Sequence, residues 1–147
     1  MIKKILVPTD GSGHAEKAID YACDLGLKYG ATVYLLHIVH KSGTPKRLLQ
    51  VIEEHKKVEK VDLLIREIGE RIMNAAKKEV EKKGLKNFRS FVIEGDPAEN
   101  IIRFAQKESV DLIVMGSRGL GNLQGVLLGS VSHKVCNLAD CTCMTVK

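Results

Sequence analysis

Short runs of branched apolar residues alternate with helix-periodic stretches along the whole chain, and no other feature restricts the fold as much. Ile5-Leu6-Val7, closed by Pro8, is the first run; it is short and β-branched, as a buried strand should be. Ala15, Ala18, Ile19, Ala22, Leu25 and Tyr29 then recur at helical spacing, with Gly30 as the stop. Val33 to Val39 reads as a second strand. Lys41-Ser42-Gly43-Thr44-Pro45 breaks the chain, and a long amphipathic helix follows. Its stripe is Val58, Val61, Ile65, Ile68, Ile72, Ala76 and Val80, closed by Lys83-Gly84. Phe91-Val92-Ile93 reads as the third strand. Gly95-Asp96-Pro97 opens a helix, with Asp96 suited to cap it and Pro97 to its first turn; Ile101, Ile102 and Ala105 form its inner face. Leu112-Ile113-Val114-Met115 is continuously apolar, as a central parallel strand requires. A glycine-rich loop then leads to a last helix near Ser130–Leu138 and a terminal strand, Met144-Thr145-Val146.

This alternation implies right-handed crossovers and a parallel sheet covered by helices on both faces. Residues 1–147 form one α/β domain of ordinary size, without an internal repeat or linker. In open parallel sheets, ligands bind beyond the C-terminal strand ends where strand order reverses. Two loops therefore carry the functional expectation: Pro8–Gly13 after the first strand and Gly116–Gly129 after the fourth.

Several function classes drop out on composition. At 44% hydrophobic and 28% charged, the chain is globular rather than disordered. No apolar run approaches the roughly 20 residues of a membrane span, and the N-terminal stretch lacks a cleavage site, so the expected compartment is the cytoplasm. Cys23 stands alone, while Cys136, Cys141 and Cys143 contain no C-x-x-C pair, which is neither a secreted disulfide framework nor zinc spacing. The net charge of +5 raises nucleic acid as a partner. Residues 41–83, however, hold 12 Lys/Arg and 8 Asp/Glu, so most of the excess lies in one interleaved stretch. Mixed signs at helical spacing mark a solvated helix face, and no nucleic-acid partner is expected.

The fourth strand runs into Gly116-Ser117-Arg118-Gly119, then nine residues, then Gly129-Ser130-Val131-Ser132 at a helix start. Glycines admit positive φ and let a ligand approach the main-chain amides. A helix N-terminus adds unpaired N–H groups and a partial positive charge, which suits an anion. Ser130 and Ser132 add hydroxyl donors, and Arg118 adds a charge-assisted contact. Taken singly, these glycines merely turn the chain and Ser130 merely caps a helix. Their joint position after a central strand, opposite Pro8–Gly13, favours an anion cradle.

The chain resembles the universal stress proteins of the ATP-binding subgroup from end to end. The matching pieces are Lys4-Ile5-Leu6-Val7-Pro8-Thr9-Asp10-Gly11-Ser12, Leu35-Leu36-His37-Ile38, Gly95-Asp96-Pro97 and Asp111-Leu112-Ile113-Val114-Met115-Gly116-Ser117-Arg118-Gly119. The spacing G-x-x-G, nine residues, G-S is that subgroup's nucleotide motif, and it is complete. The resemblance implies a flavodoxin-like, open five-stranded parallel sheet with helices on both faces, a homodimer, and ATP as ligand. By position, Thr9 and Asp10, with Pro8 beside them, would face the ribose or base, and Ile38 and Met115 would line the adenine. Gly116, Arg118, Gly119, Gly129, Ser130, Val131 and Ser132 would surround the phosphates. A divalent cation, Mg or Mn, would be held mainly by the phosphates, with Asp10 the nearest carboxylate; Asp10 reads equally well as a turn former. The chain departs from the family where prolines commonly flank a cysteine: here it reads Ala139-Asp140-Cys141-Thr142-Cys143-Met144-Thr145-Val146, on the strand that usually makes the dimer contact.

Other nucleotide folds fit less well. For a dinucleotide fingerprint, Glu16 occupies the third glycine's place, and His37 and His40 end the second strand where an acidic residue is needed. No G-x-x-x-x-G-K-S/T occurs. Three alternatives stay open. One is a slow ATP hydrolase, for which no catalytic base or nucleophile stands out. Another is a metal or redox role for Cys136, Cys141, Cys143 and His133, against their packing as small hydrophobes. The third is a dimeric scaffold or partner-docking module, with 46–83 as its surface and 41–57 as a lid over the nucleotide.

Overall fold

The first apolar run forms β1 (Lys4–Pro8), the middle strand of a five-stranded sheet. The structure is a computed structural model describing residues 1–40, 58–121, 125 and 127–147; the proposed lid at 41–57 lies outside the described residues. After β1 come α1 (Gly13–Tyr29), β2 (Thr32–Val39), α2 (Val58–Lys82), β3 (Phe88–Glu94), α3 (Pro97–Glu108), β4 (Leu112–Gly116), α4 (Ser130–Leu138) and β5 (Thr142–Val146). All four strand pairings are parallel, and the spatial order is β3-β2-β1-β4-β5. The expected open parallel sheet with helices on both faces is therefore what the chain forms.

Strand pleating divides the core in two. Ile5, Val7, Val33, Leu35, Leu112 and Val114 point to one face, where α1 and α2 supply Ala18, Ile19, Ala22, Met73, Ala76 and Val80. Leu6, Tyr34, Leu36, Ile113 and Met115 point to the other, against Ala98, Ile101 and Ala105 of α3 and Val135 of α4. With few aromatics, packing is almost wholly aliphatic; the exception is Phe91, Phe104 and Tyr34, with centroids 5.0 Å apart for the phenylalanines and 5.8 Å for Tyr34 and Phe104. Among the described residues, no helix is long and apolar enough to cross a membrane.

The helix ends follow their local signals. Ser12 Oγ accepts from Ala15 N–H at the start of α1, and Gly30 closes that helix in the left-handed region at φ 64°. Asp96 caps α3 by accepting from Glu99 N–H at 2.8 Å, with Pro97 in the first turn. That backbone donor, chiefly, holds the Asp96 carboxyl below its usual value. A carboxyl with a lowered folded value stabilises fully above the ordinary carboxylate range and loses its contribution as pH falls through the folded value. Asp96→Ala should therefore cost about 1 kcal/mol at pH 7, with wild type and variant converging below about pH 4. Urea unfolding of both proteins at pH 7 and pH 3 measures the difference; a gap that persists undiminished at pH 3 contradicts it.

Three features differ from the sequence expectation. β3 starts at Phe88 rather than Phe91, and β5 at Thr142 rather than Met144. The lost prolines leave β5 intact: it pairs with β4 from Leu112↔Thr142 to Gly116↔Val146. The α2 stripe is not all core, since Ile68 is 45% exposed and Met73 takes a core position that the periodicity did not single out. The helix is longer than the sheet is deep. Its 25 residues span about 37 Å against about 26 Å for the 8 of β2, and Gly69 packs on Val39 and His37, so the turns before Gly69 extend beyond the strand end.

Cys143 of β5 and Cys141 just before it pack on one side, against the α3/α4 core. Burial pushes the Cys143 thiol up to about 12 and raises Cys141, and it pushes Cys23 in α1 up to about 11. These thiols pack as small protonated hydrophobes at neutral pH.

Candidate functional site: a cleft where strand order reverses

β2 and β3 lie beyond one side of β1, and β4 and β5 continue on its other side, so the chain diverges between β1 and β4. A crevice of about 680 Å³ opens beyond the C-terminal ends of these strands. Pro8, Thr9 and Asp10 enter it from β1, Ile38 from β2, and Met115 and Gly116 from β4. Arg118 and Gly119 follow on the loop, and Gly129, Ser130, Val131 and Ser132 open α4 on the far wall. All twelve residues singled out from sequence thus line one cleft. The sequence expectation missed the other wall. Ile65, Ile68 and Ile72 line it from α2, with Pro97 and Ile101 from α3, His37 from β2 and His40 just after it. The isoleucines were legible as an apolar stripe; what the stripe faced was not.

The glycines serve close approach, not unusual torsion. Gly116, Gly119 and Gly129 are all absent from the residues with positive φ, which corrects that part of the expectation. A β-carbon on Gly116 would stand 2.9 Å from His14 main-chain carbon and 3.0 Å from Ala15 nitrogen, so the first turn of α1 packs directly on it. One on Gly119 would collide with the Asp10 carboxylate. At Gly129, by contrast, the nearest neighbours would be Arg118 Cα at 3.5 Å and Ser117 O at 3.6 Å, ordinary contact distances.

Ser117, only 1% exposed, holds this corner together. Its N–H donates to Val146 O at 2.7 Å, and its carbonyl accepts from Gly129 N–H at 2.7 Å. Its hydroxyl meets His14 Nδ1 at 3.1 Å. Strand β5, the start of α4 and the start of α1 are thereby tied to one residue; nothing in the sequence singles out His14 for this task. Ser132 hydroxyl donates to Gly116 O at 2.8 Å, so its proton is already engaged, and the expectation of a free Ser132 donor is corrected. Asp10 acts as a turn former: Oδ1 accepts from Ser12 N–H at 2.9 Å and Oδ2 from Leu120 N–H at 3.1 Å. His37 is buried, and its Nδ1 lies 2.8 Å from Thr9 O, which can only accept. The proton is therefore on Nδ1 in the neutral ring.

Two donors remain. Helices α1 and α3 satisfy an N-terminal amide with a side chain, but α4 begins at Gly129 with no side-chain cap. The first-turn amides of a helix have no intrahelical partner, and they carry the positive end of its dipole. Beside them, Arg118 Nε is buried without a hydrogen-bond partner, the one such side-chain atom among the described residues. A buried unsatisfied donor is costly, and a bound acceptor removes the penalty. Anion chemistry fits this donor set. For a cation, Asp10 is the carboxylate among the described residues that line the cleft, and among the described residues no group of three or more His, Cys, Asp or Glu converges on a metal position.

Comparison with known proteins agrees with this arrangement. The model of the Universal stress protein family matches residues 1–147. Universal stress protein MJ0531 of Methanocaldococcus jannaschii is 35% identical over 151 aligned residues, covering 100% of this chain and 83% of that protein. The solved structure of MJ0577 is 35% identical, superposes with a TM-score of 0.78, and covers 100% of this chain and 96% of that one. The Archaeoglobus fulgidus universal stress protein, solved in complex with dAMP, has a TM-score of 0.69 at 20% identity over 100% of both chains and shares the fold. With a family model that matches residues 1–147 and a relative 35% identical over the whole chain, the protein belongs to the universal stress protein family.

Proposed function

We propose that the chain binds ATP, as a member of the family's ATP-binding subgroup, and acts as a nucleotide-dependent sensor or regulatory module. The observation that carries this is the start of α4, which has no side-chain cap and opens on the cleft beside Arg118. The first-turn amides and the guanidinium charge suit an anion with several acceptor oxygens, and a polyphosphate supplies them. The apolar walls, Ile38 and Met115 with Ile65 and Ile72 across from them, suit a flat base with few polar groups. A protein of the same fold was solved with dAMP, an adenine nucleotide, which supports the choice of base.

In this function Gly119, Gly129 and the amides of Ser130, Val131 and Ser132 surround the phosphates, with Arg118 supplying charge. Thr9 stands at the nucleoside end, while the Asp10 carboxylate, set against Gly119 and Leu120, lies beside the phosphates and the divalent cation they carry. The cation neutralises phosphate charge; the protein's part is to hold and orient. The homodimer pairs through the β5 edge, where Thr142 and Thr145 are exposed, and light scattering at the size of one chain would refute it.

Hydrolysis needs an oriented water and stabilisation of charge on the γ-phosphate. Asp10 already accepts two main-chain donors, which disfavours it as a dedicated base. Turnover with Mg and ATP should stay below about one per minute, far beneath the ~10 s⁻¹ typical of enzymes; phosphate release near the enzyme median would make the chain a hydrolase. Binding itself is tested by denaturing the purified protein and chromatographing the supernatant. Co-purified adenine nucleotide is the expected result. Protein that carries none, and takes up none from millimolar ATP, contradicts the proposal.

A further inference from the structure

Asp10 already occupies part of the anion cradle. Its Oδ1 is fixed in the turn after β1 by Ser12 N–H at 2.9 Å. Its Oδ2 accepts from Leu120 N–H at 3.1 Å, so the glycine-rich loop next to Arg118 is bound to an internal anion. The contact is close enough that Gly119 has no room for a β-carbon on that side. Within the same cleft lie the unpartnered Arg118 Nε and the open amides of α4. The molecule thus holds a fixed negative charge at the edge of a site built to receive negative charge.

We propose that Asp10 makes the site selective for a polyphosphate that carries a divalent cation, and that it excludes the bare polyanion. This rests on the nucleotide-binding function proposed above. Against a bare triphosphate the carboxylate repels the incoming charge and keeps Leu120 N–H for itself, in a partly buried cleft where salt screens poorly. A hard divalent cation on the phosphates reverses the sign, because such ions seek carboxylate oxygen. The same side chain then becomes an attractive neighbour. By linkage, cation and nucleotide strengthen each other's binding by one common factor.

The test is a calorimetric titration of ATP into wild type and Asp10→Asn, in magnesium and in EDTA. The amide keeps the size of the side chain and an oxygen for Ser12 N–H while removing the charge. Wild type should bind ATP at least about tenfold more tightly in magnesium, within the usual range of coupling between sites. In Asp10→Asn the preference should shrink to about twofold, chiefly because affinity in EDTA rises. A variant that keeps the wild-type ratio overturns the inference, as does a wild type that binds equally in both buffers; each leaves nucleotide binding standing. No binding by either protein in either buffer removes both. Amide exchange in the free protein reads the latch without nucleotide. Leu120 N–H should be protected in wild type and fast in Asp10→Ala, and equal protection in the two would remove the latch.

Discussion

Gly129→Val abolishes ATP binding and leaves the domain folded. Its backbone, at φ −67° and ψ 163°, is open to any residue, and a β-carbon meets nothing closer than 3.5 Å. Valine in place of glycine at this capping position should cost no more than about 1–2 kcal/mol of stability. The methyl groups, however, fill the space between Arg118 Cα, Gly119 N and the first amides of α4, where phosphate oxygens are placed by the proposed function. Affinity should fall at least about a hundredfold, or about 2.7 kcal/mol. Calorimetry and a melting curve on the same sample separate the two effects. A variant that melts normally and still binds within a few-fold of wild type would place the phosphates elsewhere.

Gly116→Ala does the reverse. The added carbon would lie 2.9 Å from His14 main-chain carbon and 3.0 Å from Ala15 nitrogen, atoms of helix α1 that cannot rotate away. Relief requires α1 to lift from the end of β4, which strains the His14–Ser117 contact at 3.1 Å and the His14–Val146 contact at 3.4 Å. Overpacking of this kind costs about 1–3 kcal/mol, which for a chain of this size lowers Tm by roughly 3–10 °C. Scanning calorimetry of the free protein measures it. An unchanged Tm would mean that α1 rests on Gly116 more loosely than its position indicates. The two glycines lie in one motif and look alike in sequence; one keeps space for a ligand and the other for a helix.

What was legible in the sequence follows from which strands are covered. β1, β2 and β4 are buried on both faces, so each is a continuous apolar run with recoverable limits. β3 and β5 are the sheet edges, and their first residues, Phe88-Arg89-Ser90 and Thr142-Cys143, mix polar with apolar where solvent replaces a neighbour. The apolar signal there starts late, and so did the expected strands. Within the site, glycine spacing and strand ends located the part of the cleft lining that comes from the ends of β1 and β4 and the start of α4, because those features are local. The tie from His14 to Ser117 was not legible, since the partners lie 103 residues apart and meet only through the sheet. The same holds for Ile65 and Ile72, whose helical periodicity is indifferent to whether the facing surface is core or cleft. Arg118 was legible as a residue of the loop that lines the cleft; that its Nε is buried without a partner required the fold.

The central claim is that main-chain donors at the start of α4, together with Arg118, grip a triphosphate at the mouth of the sheet. Titration of the purified, nucleotide-stripped protein with millimolar ATP and magnesium in a calorimeter tests it most directly, with the melting temperature recorded on the product. The account predicts saturable heat at one nucleotide per chain and a Tm raised by the bound ligand, since whatever binds only the folded state stabilises it. No heat and an unmoved Tm would contradict it, leaving a family scaffold whose cleft holds no nucleotide.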